Sequence, residues 1–219
     1  MKYRDLLFDL DGTIMDSAEG ITKSVQYSLR KFGIDEEDLS KLTPFVGPPL
    51  LDSYEEFYSM DEKQAMQAVA YYRERYEKTG LFECSPYEGI ASLLERLQKE
   101  GRRLIVASSK PEVFVRRILE HFDLEQYFSE IVGATLDERL AGKPGIIREV
   151  FRRCQISEEE KIHLVMIGDR RYDIEGARST RIDSIGVYYG FAEKGELEKA
   201  GATYIAYTVK DLGNLFEKI

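Results

Sequence analysis

The sequence has no tryptophan, two cysteines and two histidines. Cys84 and Cys154 are too few for the disulfide framework that staples small secreted domains. His121 and His163 stand without the companions of a histidine metal site. No apolar stretch approaches the roughly 20 residues that span a bilayer, and MKYRDLLFDL is too short and too acidic for a secretory signal. The expectation is a soluble, cytoplasmic protein. Positive charge is also in short supply: 31 Lys plus Arg face 40 Asp plus Glu, a formal net charge of -9. Such a chain is poorly suited to phosphate backbones and anionic membranes, so neither nucleic acid nor membrane is expected as a partner. A small anionic substrate survives this exclusion, because one metal ion and one lysine reverse the sign of a local field. A Walker loop is missing, which removes nucleotide hydrolysis of the P-loop kind. Internal repeats and low-complexity segments are absent as well.

What is present is an apolar fraction of 43% over 219 residues, enough for a real core in one large domain or two small ones. The chain is organised around DLLFDLDGTIMDS, Asp5 to Ser17. Leu6, Leu7 and Phe8 suit a short strand buried on both faces, as in a parallel sheet. The run stops at Asp9, and Gly12 permits a tight turn after Asp11. Alternation sends Asp9 and Asp11 the same way, with Leu10 turned back into the core. Two carboxylates just past a central strand can bind a divalent cation, or divide the work of nucleophile and acid/base.

Residues 17–32 carry Ala18, Ile21, Val25, Leu29 and Phe32 at helical spacing, ended by Gly33. DEEDLSKL, 35–42, reads as a short second helix, and TPFVGPPL, 43–50, as a proline-interrupted turn. A third helix is expected over 50–58. Ser59 and Glu62 have capping-box spacing ahead of a fourth, with the stripe Ala65, Val69, Tyr72 and Tyr76. No strand is signalled between 17 and 80, so this stretch is expected to be a helical bundle inserted after the first strand. From LFECSPYEGI onward the pattern changes to alternating strands and helices. The strands expected are RLIVASS at 103–109, EIVGA at 130–134, LVMIGD at 164–169, SIGVYYG and TYIA. Helices are expected over 90–97, over 111–121 with Pro111 in the first turn, from Pro144 onward, and over 171–179. This alternation predicts an open, parallel α/β sheet.

In a parallel sheet the strand ends share one edge. Asp9, Ser108 and Asp169 each end a strand, and Lys143 precedes a helix in AGKPG. Carboxylates from two strand ends make an oxygen-rich magnesium site, while a hydroxyl and a lysine would hold the oxygens of an anion. That set describes metal-assisted attack on a phosphoryl group.

Four motifs, in order and nearly end to end, make the chain similar to haloacid dehalogenase-superfamily hydrolases with a small helical cap. They resemble the phosphoglycolate phosphatase-like and nucleotidase-like branch. The motifs are DLDGT at Asp9 to Thr13, Ser108 in LIVASSK, Lys143 in GKPG, and GDRRYD at Gly168 to Asp173. The resemblance implies a Rossmann-like core over 1–16 and 84–219 and a cap over 17–83. It implies that Asp9 is the nucleophile and Asp11 the acid/base. Asp9, the backbone carbonyl of Asp11, and Asp169 would hold Mg2+, ordered by Asp173. Ser108, the Ser109 amide and Lys143 would hold phosphate. Arg73, in the cap's YYRERY stretch, is the candidate for substrate selection, and FVGPP at 45–49 is a second. The implied activity is hydrolysis of a small phosphorylated metabolite, with phosphoglycolate or a nucleoside monophosphate leading. The alternatives are a sugar-phosphate mutase and a non-catalytic binding protein. Asp11 argues against a dehalogenase, which lacks that group. The state is expected to be monomer or homodimer.

Overall fold

Leu6, Leu7 and Phe8 are fully excluded from solvent, as the unbroken apolar run requires. The computed structural model describes residues 2–136 and 142–219. In it these residues form the central strand of a six-stranded sheet. The strands are β1 (Asp5–Phe8), β2 (Arg103–Pro111), β3 (Glu130–Ala134), β4 (Leu164–Gly168), β5 (Asp183–Val187) and β6 (Tyr204–Ala206). Their order is β3-β2-β1-β4-β5-β6, and every pairing is parallel. The connections run outward in opposite directions from β1. The ends of β1 and β4 therefore flank the switch point, the crevice where open α/β sheets bind ligands.

Register explains the core. Leu7 lies beside Ile105 on β2 and Met166 on β4. All three belong to one buried cluster with Val132, Ile146, Ile147, Val150 and Ala177. The last four positions come from α6 (Lys143–Cys154) and α7 (Arg171–Thr180), which cover that face. Leu6 and Phe8 point the other way by strand alternation and are equally buried. Four further helices belong to the same unit: α4 (Ile90–Lys99), α5 (Glu112–His121), α8 (Glu196–Ala200) and α9 (Val209–Phe216).

The chain divides into two compact units, Met1–Met15 with Pro86–Ile219, and Asp16–Ser85. The second holds α1 (Ala18–Arg30), α2 (Leu50–Tyr58) and α3 (Glu62–Tyr76). Val25 and Leu29 of α1 and Ala65 and Ala68 of α3 are fully buried, as is Tyr54 of α2, whose ring meets Phe45 edge-on at 5.0 Å.

Three local expectations are corrected. The short helix over 35–42 is instead a 3-10 helix at Leu39–Phe45, capped by Asp38 and containing Pro44. Residues 35–38 lack an apolar side chain to bury, and a proline at position 44 suits a short 3-10 stretch rather than a helix interior. The capping box of α3 is Asp61 with Gln64, not Ser59 with Glu62: the Gln64 amide donates to Asp61 at 2.8 Å, and the Asp61 amide donates back to Gln64 at 3.0 Å. Ser59 takes left-handed backbone at φ 50 and ends α2. Pro111 is the extended residue before α5 rather than part of its first turn, and β2 runs on through Lys110 to reach it. A two-stranded ribbon of Met15–Asp16 with Ser85–Pro86 was too short to read from sequence.

Candidate active site

The alternation argued for the end of β1 puts Asp9 and Asp11 together at the sheet edge, both buried. Asp9 Oδ1 accepts the Leu10 amide at 2.8 Å and lies 3.0 Å from Lys143 Nζ. The turn after it is closed by the Gly12 amide donating to Met15 at 2.8 Å and the Ile14 amide donating to Leu10 at 2.9 Å. Gly12 has φ +77, and a Cβ there would fall 2.0 Å from an Asp169 carboxylate oxygen. Glycine thus meets both the left-handed backbone and the close approach of the neighbouring strand end.

Asp169 follows β4 and is fully buried. Its Oδ2 accepts the Phe191 amide at 2.8 Å, a contact from the loop after β5. Asp173, in the first turn of α7, folds back so that its Oδ2 accepts the Arg170 amide at 3.0 Å. Its Oδ1 lies 2.7 Å from Lys143 Nζ. Lys143 begins α6, and Nζ also donates to the Ala107 carbonyl at 3.0 Å. The ammonium therefore joins the ends of β1 and β2 to α7. Its stem passes over Gly176, where a Cβ would meet Lys143 Cγ at 2.7 Å. Ser108 is buried on β2 and Ser109 is half-buried beside it.

Oxygens of Asp9, Asp169 and Asp173 lie within 4.8 Å of one another, and all three residues are buried. Burial pushes the Asp9 carboxyl up to about 6; Lys143 pulls it down, while Asp173 and Asp11 push it further up. Asp169 is driven well above the usual carboxylate range, first by burial and then by the charge of Asp173. Burial alone would lower Lys143, but Asp173 and Asp9 outweigh it and hold the ammonium form. Crowded, dehydrated carboxylates of this kind fit a divalent cation, whose hard charge suits an all-oxygen donor set.

Asp11, beside that trio, is held by a second lysine. Its two carboxylate oxygens accept from Lys110 Nζ at 2.6 and 2.7 Å. Lys110 escaped the sequence reading. The sequence signal was only a lysine two residues after the strand-end serine, in SSKP. The Phe191 amide could not have been foreseen, since it is a backbone contact from a loop. Arg73 lies half-buried on α3 in the unit Asp16–Ser85. In the same YYRERY stretch Arg75 is tied down, donating to both Glu83 oxygens at 2.7 and 2.9 Å and to Ser24 at 3.2 Å. Among the described residues, no helix is long and apolar enough to cross a membrane.

The haloacid dehalogenase-like hydrolase family model matches residues 6–187. A protein of Pseudomonas aeruginosa named 5'-nucleotidase is 42% identical, the match covering 99% of this chain and 97% of that one. A Mycobacterium tuberculosis protein named tyrosine-protein kinase PtkA is 36% identical, over 92% of this chain and 68% of the relative. A crystal structure described as a predicted phosphatase from Clostridium acetobutylicum is 48% identical, covers 100% of both chains and superposes with a TM-score of 0.96. The strand-end carboxylates, the lysine that joins them and these matches together place the chain in the haloacid dehalogenase-like hydrolase family, among its phosphatases.

Proposed function

We infer that this protein is a magnesium-dependent phosphomonoesterase that acts on a small phosphorylated metabolite through a phospho-Asp9 intermediate. The observation that carries the reading is the cluster of Asp9, Asp169 and Asp173, whose oxygens lie within 4.8 Å of one another, with Lys143 bridging Asp9 and Asp173. Asp9, Asp169 and the backbone carbonyl of Asp11 would hold Mg2+, with Asp173 ordering the set. Bound there, the ion supplies positive charge opposite the phosphate dianion.

The chain's own residues divide two displacements. In the first, an Asp9 carboxylate oxygen bonds to phosphorus as the bond to the ester oxygen breaks. Asp11, carrying a proton, gives it to the departing oxygen, which leaves as an alcohol. In the second, Asp11, now a carboxylate, takes a proton from water. The water oxygen bonds to phosphorus while the bond to Asp9 breaks, and inorganic phosphate is freed. Ser108 and the Ser109 amide hold phosphate oxygens through both steps, and Lys143 offsets the repulsion between carboxylate and dianion.

The relative named 5'-nucleotidase, matched over nearly the whole of both chains, favours a nucleoside monophosphate as substrate. Phosphoglycolate is the second choice, on the motif resemblance. The unit Asp16–Ser85 is read as a cap, and Arg73 as its contact for substrate selection. The test is phosphate release from an aryl phosphate, then from a panel of phosphorylated metabolites, with Mg2+ and with excess chelator. Magnesium-dependent release without any bisphosphate requirement is expected. No release from any ester refutes the reading. A need for a bisphosphate, with the phosphoryl group returned to a second hydroxyl, turns it into a mutase.

A further inference from the structure

We propose that Lys110 is the positioning residue of Asp11, aiming its carboxyl group for proton transfer to and from the reacting oxygens. This rests on the phosphatase reading above. The two buried lysines at the sheet edge hold different carboxylates. Lys143 serves Asp9 and Asp173, at 3.0 and 2.7 Å. Lys110 Nζ reaches both oxygens of Asp11, at 2.6 and 2.7 Å. The pair is sealed from solvent, with side chains only 6% and 8% exposed.

Lys110 is itself held in place. The register of β2 against β3 shifts between Ala107 and Pro111. The Lys110 amide donates to Ser108 Oγ at 3.3 Å across that irregularity, and Pro111 fixes the next φ. Because β1 and β2 are adjacent and parallel, with Phe8 beside Val106, the residues just past that pair meet at one edge. Regular alternation would leave Ser108 and Lys110 on the face of Phe8 and Val106, and it is past the irregularity after Ala107 that Lys110 reaches Asp11.

A lone carboxyl on a turn rotates about its last torsion, which is broad. An ammonium with three N–H donors, gripping both oxygens, removes that freedom. When one oxygen carries the proton, the other still accepts from Lys110, so the O–H is directed rather than free to turn. Such preorganisation acts on the step that moves the proton and leaves ground-state binding of the phosphate alone.

The test is a cycle of Lys110→Met, Asp11→Asn and the double variant, with Lys110→Arg as the conservative change, in the full chain with Mg2+. Turnover is measured on an alkyl phosphate, whose leaving oxygen needs a proton, and on an aryl phosphate with an acidic leaving group. Lys110→Met should lower kcat on the alkyl ester by about 10- to 100-fold, within the range that acid/base groups contribute. The loss on the aryl ester should be at least about tenfold smaller, and KM should move by less than about threefold on both. In the Asp11→Asn background Lys110→Met should cost nothing further, and Lys110→Arg should recover part of the alkyl activity. A KM rise with equal losses on both esters would make Lys110 a phosphate ligand and overturn the proposal. Additive losses in the double variant would overturn it too, as would a fall in kcat that tracks a lowered Tm. Wild-type turnover that Asp9→Asn abolishes establishes the phosphatase reading first, so a failed cycle in an active enzyme refutes Lys110 alone. An inactive wild type refutes the reading and Lys110's role together.

Discussion

Gly176→Ala isolates the seat of Lys143. Inside α7 the change should help the helix, since alanine is favoured over glycine by about 1 kcal/mol in a helix interior. The added carbon would lie 2.7 Å from Lys143 Cγ and 2.8 Å from its Cβ. Carbon atoms prefer roughly 3.5–4.0 Å, so something must move by about 1 Å. The crowded atoms are the first two carbons of the lysine stem, anchored at the start of α6, so no rotation further along the chain clears them. Overpacking of this kind costs about 1–3 kcal/mol, leaving a net loss of about 0–2 kcal/mol. At about 2–4 °C per kcal/mol for a chain of this size, Tm should fall by no more than about 8 °C. The functional cost is larger. Lys143 Nζ contacts Asp9 at 3.0 Å and Asp173 at 2.7 Å, and a displacement near 1 Å breaks one of them. Misplacement on that scale costs on the order of 100-fold in rate. The assay is kcat for phosphate release beside a thermal melt, with Gly33→Ala as control. Gly33 has φ +74 and nothing within 4 Å of an added Cβ, so its replacement should cost about 1 kcal/mol of stability through the backbone and leave turnover intact. If Gly176→Ala turns over within about threefold of wild type, the glycine does not exist to seat Lys143.

Chelation should abolish phosphate release and Mg2+ restore it, with Ca2+ a poor substitute because of its larger and looser shell; full activity in excess chelator would sink the two-step scheme. In metal-free protein, the raised Asp9 carboxyl binds its proton in the folded state at a higher pH than in the unfolded chain, so its contribution is fully present below about pH 4 and lost as pH rises through about 6. Asp9→Asn should therefore gain on wild type by up to about 3 kcal/mol between pH 4 and 7, and a constant difference in denaturant midpoint across that window would refute the cause. Arg75→Ala should lower stability by about 1.5–3 kcal/mol through the bidentate, half-buried pair with Glu83, whereas Arg73→Ala should lower kcat/KM for the natural substrate more than for a small aryl phosphate. A flat substrate profile for Arg73→Ala would place selection elsewhere, with FVGPP the next candidate.

The sheet was legible because strands buried on both faces read as short unbroken apolar runs, and β1, β2 and β4 are of that kind. The helices were legible where a stripe repeats at three and four, as in α1 and α4. What failed were features decided by a single backbone torsion or by a capping contest. Ser59 and Asp61 both suit a helix start, and only the left-handed turn at Ser59 decides between them. At the site, the aspartates were legible because Asp9 and Asp11 break an apolar strand abruptly. Lys110 was hidden because the strand expected for β2 stopped at Ser109, ahead of the register shift that brings the lysine to Asp11. A strand that runs two residues past its expected end cannot be distinguished, by periodicity, from a loop. The Phe191 amide that steadies Asp169 carries no side-chain signature at all.

Charge explains why an acidic chain can still receive a phosphate ester. Four carboxylates are buried at this edge, Asp9, Asp11 and Asp169 after strands and Asp173 in the first turn of α7, with two ammonium groups, Lys110 and Lys143, among them. Lys110 holds Asp11 and Lys143 lies between Asp9 and Asp173, while Asp169 accepts from the Phe191 amide and the Thr13 hydroxyl. Two like charges 4.8 Å apart repel by about 3 kcal/mol at an effective dielectric near 20. The upward displacement of Asp9 and Asp169 records that repulsion together with their burial. A dianionic ester brought to the same edge would add to it. A divalent cation held by these oxygens would remove the repulsion among the carboxylates and offset the incoming charge at once. The same carboxylate crowding that costs stability would then tie phosphate binding to metal binding at this edge.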